Sequence, residues 1–206
     1  MKSFISEDDI EQAICNRLSL PEYGWKRIEC DARVEAQDDV STTGRANPSE
    51  CILPDVFLAA LKRLNPQVEE GVLQGILRNF RKDYTATDMV ETNYKLYNQL
   101  RNGIKKPVRK NGKEDFDIVR LIDFDHPERN DFHCVNQMWI KGHYRYRRPD
   151  VLLFVNGLPV VFIELKNSTV KVEESYNKNL TSYRKDIPNI FSFNQICVLS
   201  NVCKPR

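Results

Sequence analysis

No run of about 18 consecutive apolar residues occurs in the 206-residue chain, so no transmembrane helix is expected. The opening MKSFISEDDI lacks the apolar core of a secretory signal and turns acidic at Glu7, which argues against secretion and for the cytoplasm. The six cysteines (Cys15, Cys30, Cys51, Cys134, Cys197, Cys203) contain no CxxC pair and no metal-ligand spacing. They read as reduced thiols, not as disulfides or a zinc site. No G-x-x-x-x-G-K-[ST] phosphate loop is present, so this chain alone should not hydrolyse ATP. The three histidines, His126, His133 and His143, share no spacing pattern and read as structural or surface groups. Repeats and low-complexity tracts are absent.

What is present is enough apolar material, 41%, for a real core, and enough charge, 29%, for a solvated surface. The net charge of +2 is unevenly spread: residues 131–206 hold 11 Lys/Arg against 6 Asp/Glu, whereas residues 1–130 hold 20 against 23. A polyanionic partner is expected on the C-terminal half if anywhere.

The chain divides by texture. SEDDIEQAICNRLSL reads as a first helix, with Ser6 as N-cap and Asp9 three residues on in a capping-box pattern. Residues 54–64, 67–80 and 88–100 have helical spacing, the last with Gly103 as C-cap. Residues 30–50 are polar and irregular, and IKKPVRKNGKED (104–115) reads as a basic, turn-rich loop. From Phe116 the segments FDIVRLIDF and FHCVNQMWI read as strands, followed by an apolar hairpin, a helix over 172–187 and a short strand, QICVLS, over 195–200. A strand–helix–strand crossover beside antiparallel strands implies a mixed β-sheet sandwiched by helices: an α/β chain with a mainly helical part (1–110) and a β-rich core (111–206), taken together as one domain.

The hairpin RRPDVLLFVNGLPVVFIELKN (147–167) carries the chemistry. Val151, Leu153 and Val155 alternate with Leu152 and Phe154, so both faces are apolar, as in a central strand covered on both sides. Asp150, Glu164 and Lys166 are out of place there, because a buried unpaired carboxylate costs several kcal/mol. Glu164 and Lys166, two apart on a strand, share a face. A two-residue Asn-Gly loop would set Asp150 against Ile163 and put Glu164 on the opposite face. A three-residue loop over 155–157, with Gly157 left-handed, or an equivalent bulge, sets Asp150 against Phe162 and leaves Glu164 diagonal to it on the same face. Two carboxylates and a backbone carbonyl form a hard-oxygen site for Mg²⁺ or Mn²⁺. A lysine beside them suits phosphodiester hydrolysis, which needs an activated water and neutralisation of charge at phosphorus. The plain structural alternative is a Glu164–Lys166 ion pair at a strand end, with Asp150 capping the turn at Pro149.

Pro149-Asp150 … Glu164-Leu165-Lys166 resembles the PD-(D/E)xK nuclease motif. More narrowly, RPDVLLFVNGLPVVFIELKN and the following NLTSYRKDIPNIFSFNQICVLSN resemble the nuclease domain of type I restriction enzyme R (restriction/motor) subunits. The likeness is strongest over about residues 130–202. It implies a restriction-endonuclease-like fold that cuts double-stranded DNA with Mg²⁺. It implies Asp150 and Glu164 as metal ligands with the Leu165 carbonyl, and Lys166 as the catalytic lysine. The family's domain opens a much longer chain with ATP-driven motor lobes, which joins methylation and specificity subunits. ATP would then act only through motor lobes beyond these residues, and the chain, stopping at NVCKPR just after a strand, is expected to be part of a longer one.

The family's Gln-x-x-x-Tyr motif reads here Asn179-Leu-Thr-Ser-Tyr183: Tyr183 fits and Asn179 departs, keeping the amide on a side chain one methylene shorter. Glu11, beside the apolar stripe of the first helix, is the candidate for a further acid at the metal. Arg145, Arg147 and Arg148, with Tyr144 and Tyr146 interleaved, and Lys178, Arg184 and Lys185 are candidate phosphate contacts, which would give affinity without sequence choice. A freestanding nuclease of the same superfamily and an inactive DNA-binding or subunit-docking module are the competing readings.

Overall fold

The computed structural model describes residues 6–82, 84, 88–110, 113–166 and 179–201. Helix α1 (Glu7–Leu18) begins with the expected capping box: the Asp9 N–H donates to Ser6 Oγ at 3.1 Å and the Ser6 N–H donates to Asp9 Oδ2 at 3.0 Å. Losing one side of such a box costs about 1 kcal/mol. Ser6→Ala is therefore expected to lower the free energy of urea unfolding by about that amount, leaving the m-value unchanged.

After α1 the chain forms β1 (Lys26–Glu29), two 3₁₀ turns, and helices α2 (Pro54–Leu64), α3 (Glu70–Phe80) and α4 (Met89–Asn102), the last closed by Gly103 at φ 74°. The strands β2 (Ile104–Lys110) and β3 (Lys113–Val119) pair antiparallel in full register. This corrects the reading of residues 104–115 as a loop. Their Lys, Pro and acidic residues belong to a separate two-stranded ribbon, where cross-strand bonding overrides weak strand propensity. The stretch after Val119, expected to continue the strand to Phe124, leaves it.

The central sheet contains β1, β4 (Phe132–Asn136), β7 (Val151–Val155), β8 (Leu158–Leu165) and β9 (Ile196–Ser200) in the order β1-β4-β7-β8-β9. The outer pairs β1/β4 and β8/β9 are parallel and the inner pairs antiparallel. This is the expected mixed α/β sheet. Strand β1 was not foreseen, because KRIE between Gly24 and Cys30 is too short and too charged to signal a strand. Two short strands, β5 (Ile140–Lys141) and β6 (Tyr146–Arg147), form a further ribbon.

Both faces of the sheet are covered. Val151, Leu153, Ile163 and Leu165 pack with Cys134 against Cys15 of α1. Leu152, Phe154 and Phe162 pack on the other face with Phe57 and Leu61 of α2, Leu73 and Ile76 of α3 and Leu96 of α4. That same layer holds Tyr183 of α5 (Thr181–Asp186) and Ile190 of α6 (Pro188–Phe191). Of the helix read over 172–187, residues 172–178 lie outside the described set.

The hairpin turn is resolved differently from the expectation. Val155 pairs with Leu158, so the loop is the two residues Asn156 (φ 50°) and Gly157 (φ 79°), both left-handed as a tight hairpin turn requires. The register then slips at a bulge between Leu153 and Phe154, opposite Val160, and Val151 faces Ile163. One step further sets Asp150 opposite Glu164, not opposite Phe162. The bulge restores the parity that a plain two-residue loop would have lost, so the two carboxylates share a face.

Candidate active site

The site lies at the end of β7 and β8, where the layers on both faces of the sheet reach the strand ends. Asp150 Oδ2 accepts the Leu165 N–H at 2.6 Å. Glu164 is buried at 4% exposure, and its Oε1 lies 2.9 Å from Lys166 Nζ. The same ammonium donates to the Leu165 carbonyl at 2.7 Å and lies 3.6 Å from Glu7 Oε2 of α1. Among the described residues Glu164 Oε2 is buried with no hydrogen bond of good geometry, although the Tyr183 hydroxyl is near enough to help hold the carboxyl down.

Electrostatics follow from this crowding. Burial, with Glu164 nearby, pushes the Asp150 carboxyl up to about 7. Burial raises Glu164 as well, opposed by the Lys166 charge. Burial disfavours the Lys166 ammonium, but Glu164 and Asp150 outweigh it and hold the lysine above its ordinary value. Two acids and one base leave a net negative charge in a poorly solvated place, the condition a divalent cation relieves. Among the described residues no three His, Cys, Asp or Glu side chains gather at metal-binding distance, so any cation here would rely on two carboxylates and main-chain oxygen.

Glu11, 3% exposed, accepts the Asn136 amide at 2.8 Å and also the Gln137 amide. Burial raises its carboxyl, and Asp150 adds to the rise. Its hydrogen bonds tie α1 to the end of β4. Gln137 was missed in the sequence. Its left-handed backbone (φ 60°) places its N–H on the Asp150 carbonyl at 3.1 Å, and no pattern of side chains announces a positive φ at glutamine. With Glu7, Asp8, Glu29, Asp31 and Asp39, Glu11 and Asp150 line one cavity of about 780 Å³, in which Arg148 is the single basic lining residue among the described residues.

Behind Glu164, Asn179 and Leu180 form a π-helical turn leading into α5. The shorter Asn179 amide reaches Glu164 Oε1 at 3.4 Å, a long contact. Burial and Glu164 push the Tyr183 phenol up, and its hydroxyl donates to the Arg148 carbonyl at 3.1 Å. Arg147 is about a third exposed, on the cavity that Arg145 and Lys185 also line, and is already paired. Its Nε donates to Asp186 Oδ2 at 2.7 Å and its guanidinium lies 5.7 Å over the Tyr183 ring. Arg148 donates to the Ala32 carbonyl at 3.0 Å and lies over Trp139. Both arginines therefore brace the site's backing. Arg184 is exposed in a different cavity, beside Met89, Phe191 and Cys197, away from Asp150. Lys178 lies outside the described residues. Arg145 and Lys185 are exposed around a cavity shared with His143 and Tyr144. His133 is buried in β4 and His126 and His143 are surface groups, none of them at the site.

The family profile described as "Type I restriction enzyme R protein N terminus" matches residues 4–203. The chain belongs to this family. It is 31% identical over 202 residues, 96% of its length, to the type I restriction enzyme HindI endonuclease subunit of Haemophilus influenzae. It is 32% identical over 165 residues, 76% of its length, to a Methanocaldococcus jannaschii protein carrying the name MjaIXP endonuclease subunit of a type I restriction enzyme. The chain spans only 18% and 15% of these two relatives. As a member of the R-protein N-terminal family it has the mixed α/β architecture that the sequence resemblance implied, with Asp150 just before β7, Glu164 in β8 and Lys166 just after it. No helix among the described residues is long and apolar enough to cross a membrane.

Proposed function

We propose that this chain is the Mg²⁺- or Mn²⁺-dependent endonuclease domain of a type I restriction enzyme R subunit. In this reading it hydrolyses phosphodiester bonds of double-stranded DNA in the cytoplasm, inside a complex whose methylation and specificity subunits choose the site and whose motor lobes consume ATP. One observation carries the reading: Asp150, one residue before the Val151–Ile163 pair, and Glu164, one residue after it, come together at the strand ends with Lys166 at 2.9 Å from Glu164, beside a cavity lined mostly by acids. An isolated structural ion pair needs neither the second carboxylate nor a Glu164 Oε2 without a hydrogen bond of good geometry.

The residues fit a divalent cation. Glu164 Oε2, Asp150 and the Leu165 carbonyl would hold it, with Glu11 close enough to bias its field. When bound, the cation supplies Lewis acidity at the scissile phosphate. The chain's own residues do the rest. Lys166 carries a fixed positive charge toward the phosphate as negative charge develops there. Asp150, through the Leu165 N–H, fixes the main chain that presents the carbonyl. Asn179 and Tyr183 close the rear of Glu164, and the Arg147–Asp186 pair keeps α5 in place. Arg145 and Lys185 are the exposed cations best placed to meet the DNA backbone.

Isothermal titration of Mn²⁺ tests the site. One binding event, abolished in Glu164→Ala while the variant retains its near-ultraviolet circular dichroism, is the expected result. Binding that survives Glu164→Ala would overturn the assignment and favour a non-catalytic docking module.

A further inference from the structure

The Lys166 ammonium sits on one of the atoms that the proposed function reserves for a metal ion, the Leu165 carbonyl oxygen, and on the other oxygen of the Glu164 carboxylate. Its Nζ is 2.9 Å from Glu164 Oε1 and 2.7 Å from the Leu165 carbonyl, and its third neighbour, Glu7 Oε2, is 3.6 Å away. The first two are hydrogen-bond distances and the third is an ion pair only. An ammonium has three donors: one occupies the carbonyl oxygen that a hard cation would need, and a second holds the carboxylate whose remaining oxygen that cation would take.

Glu7 has a fixed place. It opens α1, whose first turn is locked by the Ser6–Asp9 capping box and whose next turn is tied to β4 through Glu11. Glu7 lines the same cavity as Asp150 and is partly solvated, with a side-chain exposure of 39% against 4% for Glu164. A carboxylate in that position can take an ammonium without the burial cost borne at Glu164.

We propose that Lys166 is the resident counter-cation of the carboxylate pair when no metal is bound, and that Glu7 is a positioning residue that receives its ammonium when a divalent ion takes Glu164 and the Leu165 carbonyl. The inference rests on the metal-site reading above and adds to it a competitor and a second seat. Lys166 moves by less than the length of its own side chain, from Glu164 toward Glu7, and stays beside the phosphate position. Without Glu7 the displaced ammonium loses the second carboxylate that its Nζ already pairs with and resists leaving. Without Lys166 the metal meets no competitor.

The test is a double-mutant cycle read by Mn²⁺ calorimetry on the chain itself, with wild type, Glu7→Gln, Lys166→Met and the double variant, and with Glu164→Ala as the reference. Lys166→Met is expected to tighten Mn²⁺ binding roughly tenfold, since a unit charge within about 4 Å is removed from the cation's seat. Glu7→Gln is expected to weaken it several-fold when Lys166 is present and to have little effect when it is Met. A loss on Glu7→Gln of equal size in both backgrounds would show a plain long-range carboxylate and overturn the Glu7 role. Unchanged or weaker binding in Lys166→Met would overturn the competition. Either result would leave the metal site standing if Glu164→Ala still abolishes binding. Wild-type binding indifferent to Glu164→Ala, or no binding at all, would remove the metal site and this inference with it. Thermal melts without metal give a second readout: Lys166→Met should lower the melting temperature alone and recover part of the loss when Mn²⁺ is added. Lys166→Gln serves if the Met variant does not fold.

Discussion

Lys166→Ala in an assembled restriction complex should cut Mg²⁺-dependent cleavage of plasmid DNA by about 10²–10³-fold, the usual cost of deleting a preorganised group aimed at developing charge. Asp150→Ala should match it by a different route. The first removes charge at the phosphate, and the second removes a carboxylate and the partner of the Leu165 N–H. The two changes act on one unit, so the double variant should fall little below either single one. Wild-type cleavage rates in both variants would remove the chemistry from this hairpin. The pH dependence has a definite sign. Asp150 titrates near 7 in the folded chain, above its ordinary value near 3.8, so without metal its neutral form favours folding. That contribution is full below about pH 4 and is lost as the pH rises through 7. Metal-free chain should therefore lose on the order of 2–4 kcal/mol between pH 4 and 8 through this residue, and Asp150→Asn should flatten the loss in urea melts. Deprotonation of Asp150 should also make Mn²⁺ binding tighten up to about pH 7, with proton release.

Gly142→Val should be the most damaging single change to the fold, more than about 3 kcal/mol, because it forces two backbones apart and no side chain can rotate away. A Cβ at Gly142 would stand 1.7 Å from the Asp186 carbonyl oxygen and 2.8 Å from its carbon. Asp186 closes α5 and is held by Arg147. The displacement would therefore pass to Tyr183 and the backing of Glu164. Gly142→Val should lose thermal stability and Mn²⁺ binding together, whereas Gly24→Ala, where a Cβ meets nothing within 4 Å, pays only for its left-handed φ of 70°. A Gly142→Val chain that melts within a few degrees of wild type would refute the close approach.

Much of this was legible before any coordinates. The capping box at Ser6, the helices over 54–64 and 88–100, the two-sided apolar hairpin and the shared face of Glu164 and Lys166 all follow from periodicity and local chemistry. The register of the hairpin did not, because the bulge opposite Val160 leaves no mark in an unbroken apolar run. Strand β1 was hidden because a partner far along the chain, not its own residues, makes it a strand, and β2 because its Lys, Arg and Pro residues give a turn-like texture that pairing with the adjacent β3 overrides. The arginines illustrate the same limit. Arg147 and Arg148 read as a basic patch, yet long side chains reach acids and carbonyls that only the fold brings near. The second seat for Lys166 at Glu7 was equally invisible, since it joins the first helical turn to a strand end some 160 positions later.

That separation bears on how the protein is made. Lys26 lies beside His133, and Glu7 and Glu11 meet partners that are translated only after more than a hundred further residues. Closing so long a loop is slow and costs entropy that short-range contacts cannot offset. A chain still growing on the ribosome thus has an N-terminal helix with nothing to dock on, and no paired carboxylates until Glu164 has emerged. The paired carboxylates come together only once β8, far down the chain from α1, is there for that helix to cover.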